Sequence, residues 1–161
     1  WVDALFTSTS AVCVTGLIAI DTADTFTVFG RAVVALLIQV GGLGVTSVGV
    51  GFILLMGKKV GIKERVLIKE SMNLNSMKGL VKLIKSVLFL TLSFEIVGVI
   101  LSYLVFSKDY NPLDALGISI FHSVAAFNNS GFDILGGFQG LIPYKNNILL
   151  VSYIDFMGIG E

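Results

Sequence analysis

Two stretches of this chain share one design, and they lie 115 positions apart. The run Phe6-Thr7-Ser8-Thr9-Ser10-Ala11-Val12-Cys13-Val14-Thr15-Gly16 aligns with Phe121-His122-Ser123-Val124-Ala125-Ala126-Phe127-Asn128-Asn129-Ser130-Gly131. Each run indicates a short apolar helix that stops in a small polar loop ending at glycine. A second marker follows each copy, since Gly42-Leu43-Gly44 matches Gly158-Ile159-Gly160 at an offset of 116. Because repeated units set the architecture of a chain, we predict two copies of one structural unit with a single insertion between them.

The composition is that of a membrane protein. Hydrophobic residues make up 55% of the chain and charged residues 14%, whereas soluble domains carry about 25% charged residues. The basic residues cluster between positions 58 and 85, and only Arg31, Lys108 and Lys145 lie elsewhere. Such a cluster beside apolar spans marks the cytoplasmic side, and the flanking segments are too apolar for a soluble nucleic-acid-binding protein. We therefore predict membrane lipid, and no nucleic acid, as a partner.

The apolar segments are long enough to cross a bilayer, which takes about 20 residues. Residues 26–56 carry one charge, Arg31, and residues 86–107 carry one charge, Glu95. We interpret most glycines of the first segment as ordinary helix packing in a membrane. A third span begins near residue 142, and the chain looks like a piece of a longer protein at both ends. The predicted domains are residues 1–56 (end of a first repeat), 57–80 (basic cytoplasmic connector) and 81–161 (second repeat).

One predicted helix is too short to span. Asn111-Pro112 is a good helix start, with Asn111 able to cap and Pro112 at the first helical position. The apolar stretch then runs only to Phe127, which is roughly 22 Å against a hydrocarbon core of roughly 30 Å. Irregular backbone at membrane depth is tolerated where it is buried in protein or lines a wet cavity. We therefore predict an all-α membrane protein whose repeat is a span, a re-entrant helix, a polar loop and a second span, with both loops facing outward, opposite the connector.

The two loops offer backbone carbonyls and a glycine able to adopt positive φ, and neither holds a pair of acid, base or nucleophile. Carbonyls aimed at one axis can replace the hydration shell of a monovalent cation. The C-terminal end of each short helix also favours a cation. The predicted ion-filter residues are Val14, Thr15, Gly16, Asn129, Ser130 and Gly131.

Four further residues are candidates for a supporting role. Cys13 and Asn128 directly precede the predicted filters, so Cys13 is expected to pack there and Asn128 to satisfy nearby polar groups. Asp133 is either a rim charge that attracts cations or a plain loop cap. Glu95 is either a functional intramembrane acid or a structural hydrogen-bonding partner inside the bundle. His122 is interpreted as a packed helix residue, and the His and Cys spacing predicts no zinc-type metal site.

These motifs closely resemble the Trk/Ktr/HKT superfamily of potassium transporters, and most of all the Ktr-type membrane subunit. The resemblance rests on residues 7–17, on Gln39-Val40-Gly41-Gly42-Leu43-Gly44 and on Phe127-Asn128-Asn129-Ser130-Gly131-Phe132-Asp133. It implies four consecutive membrane–pore–membrane repeats around one pore, with re-entrant pore helices and filter loops as in potassium channels, each repeat supplying one filter glycine. By that resemblance Gly16 and Gly131 are the filter glycines of the first two repeats.

The resemblance also implies potassium uptake across the plasma membrane, potassium being the transported ion and the chain itself holding no cofactor. It further implies a homodimer on a cytoplasmic nucleotide-binding regulatory ring, with uptake often aided by sodium. A sodium-permeable or sodium-coupled member of the same superfamily is the nearest alternative. Gly16 favours potassium, because serine there is typical of the sodium-permeable type.

Two alternatives come from other classes. A membrane sensor module without ion flux would not need two matching loops. An intramembrane serine protease would need a base within hydrogen-bond reach of its nucleophile. His122 is the sole histidine, eight residues before Ser130, and the first repeat has Thr15 in the matching position and no histidine. The prediction is therefore a transporter and not an enzyme.

Overall fold

The computed structural model describes residues 1–56, 60–71, 79–137 and 141–158. Within these ranges the chain is helical and has no strand, as predicted for an all-α protein. Its elements in chain order are α1 (Val2–Val12), α2 (Thr22–Thr25), α3 (Val28–Leu43), α4 (Val45–Leu55), α5 (Ile62–Ser71), α6 (Leu80–Phe106), α7 (Pro112–Phe127), a 3-10 turn (Ile142–Tyr144) and α8 (Ile148–Gly158). Several sequence features lie outside the described residues, namely Lys58, Lys59, Lys78, most of the turn predicted at 70–77, and positions 159 and 160 of the second glycine marker.

Helix α6 covers the predicted span 86–107 except for its last residue and begins earlier than predicted. Its 27 residues extend about 40 Å at 1.5 Å per residue. In the described part of the chain, Val81–Phe106 is the one continuous helix long and apolar enough to cross a membrane. Phe89, Leu92, Ile96 and Ile100 on this helix are exposed. Such a surface is a liability in water and suits contact with lipid or with further membrane helices.

The segment predicted as one span, residues 26–56, forms two helices. Helix α3 ends at Leu43 and α4 begins at Val45, and Gly44 between them has φ +79°. Glycine adopts this left-handed conformation without the clash that a Cβ would cause, so it ends α3 where the apolar pattern continues. The two helices count as a second candidate crossing only if both belong to one broken span.

The chain separates into two compact units, Trp1–Gly42 with Phe94–Glu161, and Leu43–Ser93. In the first unit Ile38, Phe106, Phe121 and Leu150 bring α3, α6, α7 and α8 to one buried cluster. In the second unit a smaller cluster joins α4, α5 and the start of α6; its buried members are Val50, Val60, Ile68 and Ile84. The predicted basic connector therefore contains a helix of its own, α5.

Helix α7 has the bounds that the sequence predicted. It runs from Pro112 in the first turn to Phe127, which is about 24 Å. Asn111 occupies the N-cap position, but its side chain makes no capping hydrogen bond, so the proline and Asp114 in the first turn define this start. Several small and apolar side chains of α7 are buried in the first unit, among them Ala115, Ser119, Phe121, Ser123 and Ala125.

Gly98 allows α6 to approach α7 and α8 closely. A Cβ built on Gly98 would collide with the hydroxyl groups of Tyr153 and Ser123. These two hydroxyls lie 3.1 Å apart, and Ser123 Oγ donates to the Glu95 carbonyl oxygen at 2.7 Å. An added methyl group would therefore displace a buried hydrogen-bonded pair.

We expect Gly98→Ala to destabilise the full-length protein by about 1–3 kcal/mol, the usual cost of overpacking a buried site. Gly117→Ala is the matched control, because a Cβ on Gly117 meets nothing within 4 Å and alanine is favoured over glycine in a helix by about 1 kcal/mol. The apparent melting temperature in detergent should fall for the first variant and hold or rise for the second. Equal shifts in the two variants would contradict the close contact at Gly98.

Candidate functional site

Helices α1 and α7 end in the same hydrogen-bonded closure. We name residues 13–16 loop 1 and residues 128–131 loop 2. In loop 1 the bonds are Cys13 N–H to Thr9 O (2.9 Å), Val14 N–H to Ala11 O (3.2 Å) and Thr15 N–H to Ser10 O (3.1 Å). In loop 2 they are Asn128 N–H to Val124 O (3.1 Å), Asn129 N–H to Ala126 O (3.1 Å) and Ser130 N–H to Ala125 O (2.9 Å). Each bond in loop 2 falls 115 positions after its counterpart, so the sequence repeat is also a backbone repeat.

The pattern is a Schellman closure, in which crossed bonds over a left-handed residue satisfy the last carbonyls of a helix. The left-handed residues are Val14 (φ 53°) and Asn129 (φ 52°). The predicted filter glycines follow two positions later and are left-handed as well, Gly16 at φ 67° and Gly131 at φ 69°. In both loops, therefore, the first and third of the last three residues have a left-handed backbone conformation and the residue between them does not.

The left-handed conformation is energetically unfavourable for Val14. A β-branched residue at positive φ is a genuine outlier, because its Cβ crowds the following carbonyl oxygen at a cost of about 1–2 kcal/mol. Asparagine tolerates the same conformation at position 129. Both loops therefore adopt one backbone shape from different side chains, and loop 1 does so under strain.

The hydroxyl groups of the two loops turn back onto their own helices. Ser130 Oγ donates to the Ala125 carbonyl at 3.3 Å. Thr15 Oγ1 lies 3.4 Å from the Ser10 carbonyl and 2.9 Å from Ser10 Oγ. These hydroxyl groups therefore brace the ends of the two helices.

The two loops meet at their glycines. A Cβ built on Gly16 would lie 2.7 Å from the Ser130 carbonyl oxygen and 3.3 Å from the Gly131 Cα. A Cβ built on Gly131 would lie 3.3 Å from the Gly16 Cα. The structure therefore brings the predicted filter residues of both repeats to one place and leaves no room there for a side chain on Gly16.

Helix α3 packs against the ends of both α1 and α7 through adjacent glycines. A Cβ on Gly41 would collide with the Val12 carbonyl group, and a Cβ on Gly42 would collide with the Asn128 side chain. Small residues let helices approach this closely. Gly41 and Gly42 therefore act as packing residues, Gly41 against the end of α1 and Gly42 against the first residue of loop 2.

Among the predicted supporting residues, Asn128 contacts Gln39 of α3, the first residue of the motif at positions 39–44. Asn128 Nδ2 donates to Gln39 Oε1 at 2.9 Å. Glu95 is 7% exposed, and its Oε1 has no hydrogen-bond partner among the described residues. The sequence analysis gave Gln39 no role of its own, and the signal for one is its place three residues before Gly42, on the same face of α3.

The remaining predicted residues, Cys13, Asp133 and His122, make no hydrogen bond to the other loop within the described part of the chain. Cys13 is exposed at the end of α1. Asp133 is half-buried and its Oδ1 accepts the Leu135 N–H at 3.1 Å, which is the geometry of a loop cap. His122 Nδ1 lies 2.9 Å from the Ile118 carbonyl oxygen, and its ring packs 5.3 Å from that of Phe106. Ser130 and His122 thus bond to their own helix, and no bond joins the two.

Exchanging the left-handed residues tests the closure. We expect Val14→Asn to raise the apparent melting temperature of the full-length protein, because it removes strain. We expect Asn129→Val to lower stability by about 1–2 kcal/mol, because it introduces that strain. Asn129 is exposed, so lost side-chain packing contributes little there. Shifts of the same sign in both variants would contradict the shared closure.

Comparison with known proteins identifies the family to which this chain belongs. Residues 1–160 match the TrkH family, described as a cation transport protein. The chain is 40% identical over 159 residues to the Ktr system potassium uptake protein B of Bacillus subtilis (strain 168), covering 99% of this chain and 35% of that protein. It is 40% identical over 158 residues to the Ktr system potassium uptake protein D of the same organism, covering 98% and 34%.

A further relative is the potassium/sodium uptake protein NtpJ of Enterococcus hirae, 35% identical over 155 residues, covering 96% of this chain and 34% of that protein. The chain thus spans about a third of the length of the curated relatives that it matches. The match to the family covers both loops and the helices that hold them. This chain belongs to the TrkH family of cation transport proteins.

Proposed function

We propose that this chain supplies two of the filter loops of a potassium-uptake pore in the plasma membrane. The observation that carries the proposal is the meeting of Gly16 and Gly131 at the end of two identical helix closures. Two loops of one shape, brought together at glycine, are what a symmetric arrangement of carbonyl ligands requires. The names of the relatives, potassium uptake proteins among them, agree with this assignment.

The proposed ligands are the backbone carbonyls of residues 14–16 and 129–131. Bare carbonyls select monovalent cations by replacing their hydration shell. The C-terminal ends of α1 and α7 lie next to the loops, and the partial negative charge of a helix C-terminus favours a cation. No part of this mechanism involves covalent chemistry, so the proposed activity is transport and not catalysis, with potassium as cargo.

We assign α1 and α7 as re-entrant pore helices. The 16 residues of α7 cover about 24 Å, which is short of a hydrocarbon core of about 30 Å. The Schellman closures satisfy backbone groups that could not remain unpaired at membrane depth. The basic connector at 57–80 then lies in the cytoplasm and both loops face outward, in line with the positive-inside rule.

The partners follow from the family resemblance. We propose that the full-length protein carries two further repeats that complete the pore, forms a homodimer in the membrane and works with a cytoplasmic nucleotide-binding regulatory ring. Lys63, Arg65, Lys82 and Lys85 are exposed in the second unit, so they offer a basic surface for an acidic cytoplasmic partner. The same charges also orient the protein in the bilayer.

A sodium-permeable or sodium-coupled pore is the second candidate, because one relative is named a potassium/sodium uptake protein. The glycine at position 16 favours potassium over this candidate by the family resemblance. The two candidates share the loops and differ in the ratio of potassium to sodium carried.

Serine at either filter glycine tests the proposal. In cells without their own potassium importers, we expect the full-length wild type to take up potassium in preference to sodium. We expect Gly131→Ser to lower that preference about tenfold, which corresponds to about 1.4 kcal/mol, because a side chain displaces a coordinating carbonyl. Gly16→Ser should be more damaging, because its Cβ would lie 2.7 Å from the Ser130 carbonyl oxygen.

Gly117→Ser is the matched control, because it places serine on α7 where a Cβ meets nothing within 4 Å. It should keep the wild-type preference. An unchanged ion preference in both filter variants, with normal amounts of protein in the membrane, would refute the filter assignment. A wild type that carries no monovalent cation while assembled with its cytoplasmic partner would instead favour a sensor module without flux.

A further inference from the structure

A cavity of about 520 Å³ lies between the N-terminal halves of α3 and α7. This volume is in the range of sites that bind small organic molecules, about 300–1,000 Å³. Most of its lining is apolar and includes Ala35 on α3, Phe121 on α7, and Ile134 and Leu135 just after loop 2. The lining residues all belong to the first unit, and those of loop 1 and loop 2 are not among them, so the cavity is separate from the proposed ion path.

The charged side chains of the cavity lie at one end of it. They are Asp24 in α2, Arg31 in the first turn of α3 and Asp114 in the first turn of α7. The apolar lining residues Ala35 and Phe121 come one or two turns later on α3 and α7. From Asp114 to Phe121 the helix rises about 10 Å. The cavity therefore has a charged end at the helix starts and an apolar end deeper in the unit.

Arg31 is held at the charged end by the backbone. Its Nε donates to the Phe26 carbonyl oxygen at 3.2 Å, and one terminal nitrogen donates to the Ala23 carbonyl oxygen. A guanidinium group has five N–H donors, so these two bonds leave donors for a further acceptor. Both partners are uncharged and do not neutralise the positive charge of Arg31. A phosphate group suits this position, because guanidinium binds phosphate oxygens through paired charge-assisted hydrogen bonds.

The two carboxylates select the rest of the ligand. Asp24 and Asp114 are exposed at the rim, and a Cβ built on Gly136 would lie 3.3 Å from Asp24 Oδ1. Two carboxylates beside one guanidinium disfavour a ligand that carries only negative charge. A ligand with an ammonium group next to its phosphate matches all three side chains. A primary ammonium group donates three hydrogen bonds, whereas a quaternary one has no N–H to donate.

Large apolar side chains flank the cavity. Val28 is 80% exposed and Leu113 is 85% exposed, and both belong to the lining. Such a surface is a liability in water and suits contact with an acyl chain in a membrane protein. The proposed topology, in which α6 leads outward from the basic connector, places the starts of α3 and α7 in the outer leaflet.

We propose that this cavity is a binding site for phosphatidylethanolamine of the outer leaflet, with the phosphate at Arg31 and the ammonium group at Asp24 and Asp114. The apolar end takes the first part of an acyl chain. The inference goes beyond the proposed function, and only its assignment to the outer leaflet rests on the proposed topology. A lipid bound here contacts the starts of α3 and α7 together and therefore stabilises their packing.

The headgroup is tested by lipid titration of the full-length protein. The protein is purified in detergent, stripped of lipid and titrated with phosphatidylethanolamine, phosphatidylcholine or phosphatidylglycerol of identical acyl chains, and bound lipids are counted by native mass spectrometry. We expect the ethanolamine lipid to bind about tenfold more tightly than the other two. The choline headgroup lacks N–H donors, and the glycerol headgroup lacks a cation. The apparent melting temperature should rise most with the ethanolamine lipid.

Filling the cavity tests its position. Gly117 belongs to the lining, and a Cβ built on it meets nothing within 4 Å, so Gly117→Phe places an aromatic ring in the cavity. Gly49→Phe is the matched control, because Gly49 is also a helical glycine whose Cβ would meet nothing within 4 Å, and it lies on α4 in the other unit. We expect Gly117→Phe to lose one phosphatidylethanolamine per chain and Gly49→Phe to keep it.

Charge variants separate the two parts of the headgroup. The double variant Asp24→Asn, Asp114→Asn should remove the advantage of phosphatidylethanolamine over phosphatidylcholine. Asp3→Asn is its control, because Asp3 is an exposed first-turn acid of α1 outside the cavity, and it should stay within about twofold of wild type. Arg31→Gln should weaken binding of all three lipids about tenfold. If Arg31→Gln does not reach the membrane, the carboxylate and Gly117 variants decide the matter.

Three results would overturn the proposal. Equal lipid binding by Gly117→Phe and Gly49→Phe would remove the site. Equal affinity of wild type for the ethanolamine and choline lipids, or tighter binding of phosphatidylglycerol, would refute the headgroup assignment. A full-length wild type that binds no lipid would mean that further segments of the protein fill the cavity. Potassium uptake is a separate readout, so a wild type that binds phosphatidylethanolamine and carries no potassium would refute the proposed function and leave this inference standing.

Discussion

The candidate site depends on how two helices end. A helix leaves its last carbonyls without partners, and in the proposed re-entrant arrangement no water would be there to satisfy them. The closures at Val14 and Asn129 solve this locally, because each crossed pair of bonds satisfies the carbonyls and turns the chain at once. That turn is what sends Gly16 and Gly131 towards each other. Val14 keeps the left-handed conformation although that conformation is unfavourable for its β-branched side chain, so the backbone shape of the loop is maintained at the cost of local strain.

Helix α3 then stabilises both turns from one side. Its adjacent glycines lie against Val12 and Asn128, so a single stretch of backbone contacts the ends of α1 and α7. A methyl group at either glycine would push one helix end away, and the distance between Gly16 and the Ser130 carbonyl oxygen would change with it. The spacing of the two loops is therefore set partly by a helix that contributes no residue to them.

The sequence predicted the local features well and the remote ones poorly. Periodicity and the Asn111-Pro112 start define α7, and the 115-residue repeat places both loops, since each signal lies within a few neighbouring residues. The break at Gly44 was missed because hydropathy continues unchanged through a single left-handed glycine. The link between Gln39 and Asn128 joins residues 89 positions apart, and no local pattern specifies such a contact. Glu95 could be recognised as unusual from the sequence alone, but its burial and the hydrogen bond from Ser123 to its carbonyl oxygen depend on the packing of α6 against α7.

The differences between the loops reveal what the repeat preserves. Val14 and Asn129 have the same φ with unrelated side chains, and Thr15 and Ser130 turn their hydroxyls back in the same way. Cys13 and Asn128 share a backbone position, yet only Asn128 reaches a polar partner on α3. Apart from these hydroxyl groups, the side chains of the two loops differ in their contacts, while the backbone course is common to both. A site whose shared element is the backbone is suited to a ligand that the backbone binds, and carbonyl oxygens bind a dehydrated cation.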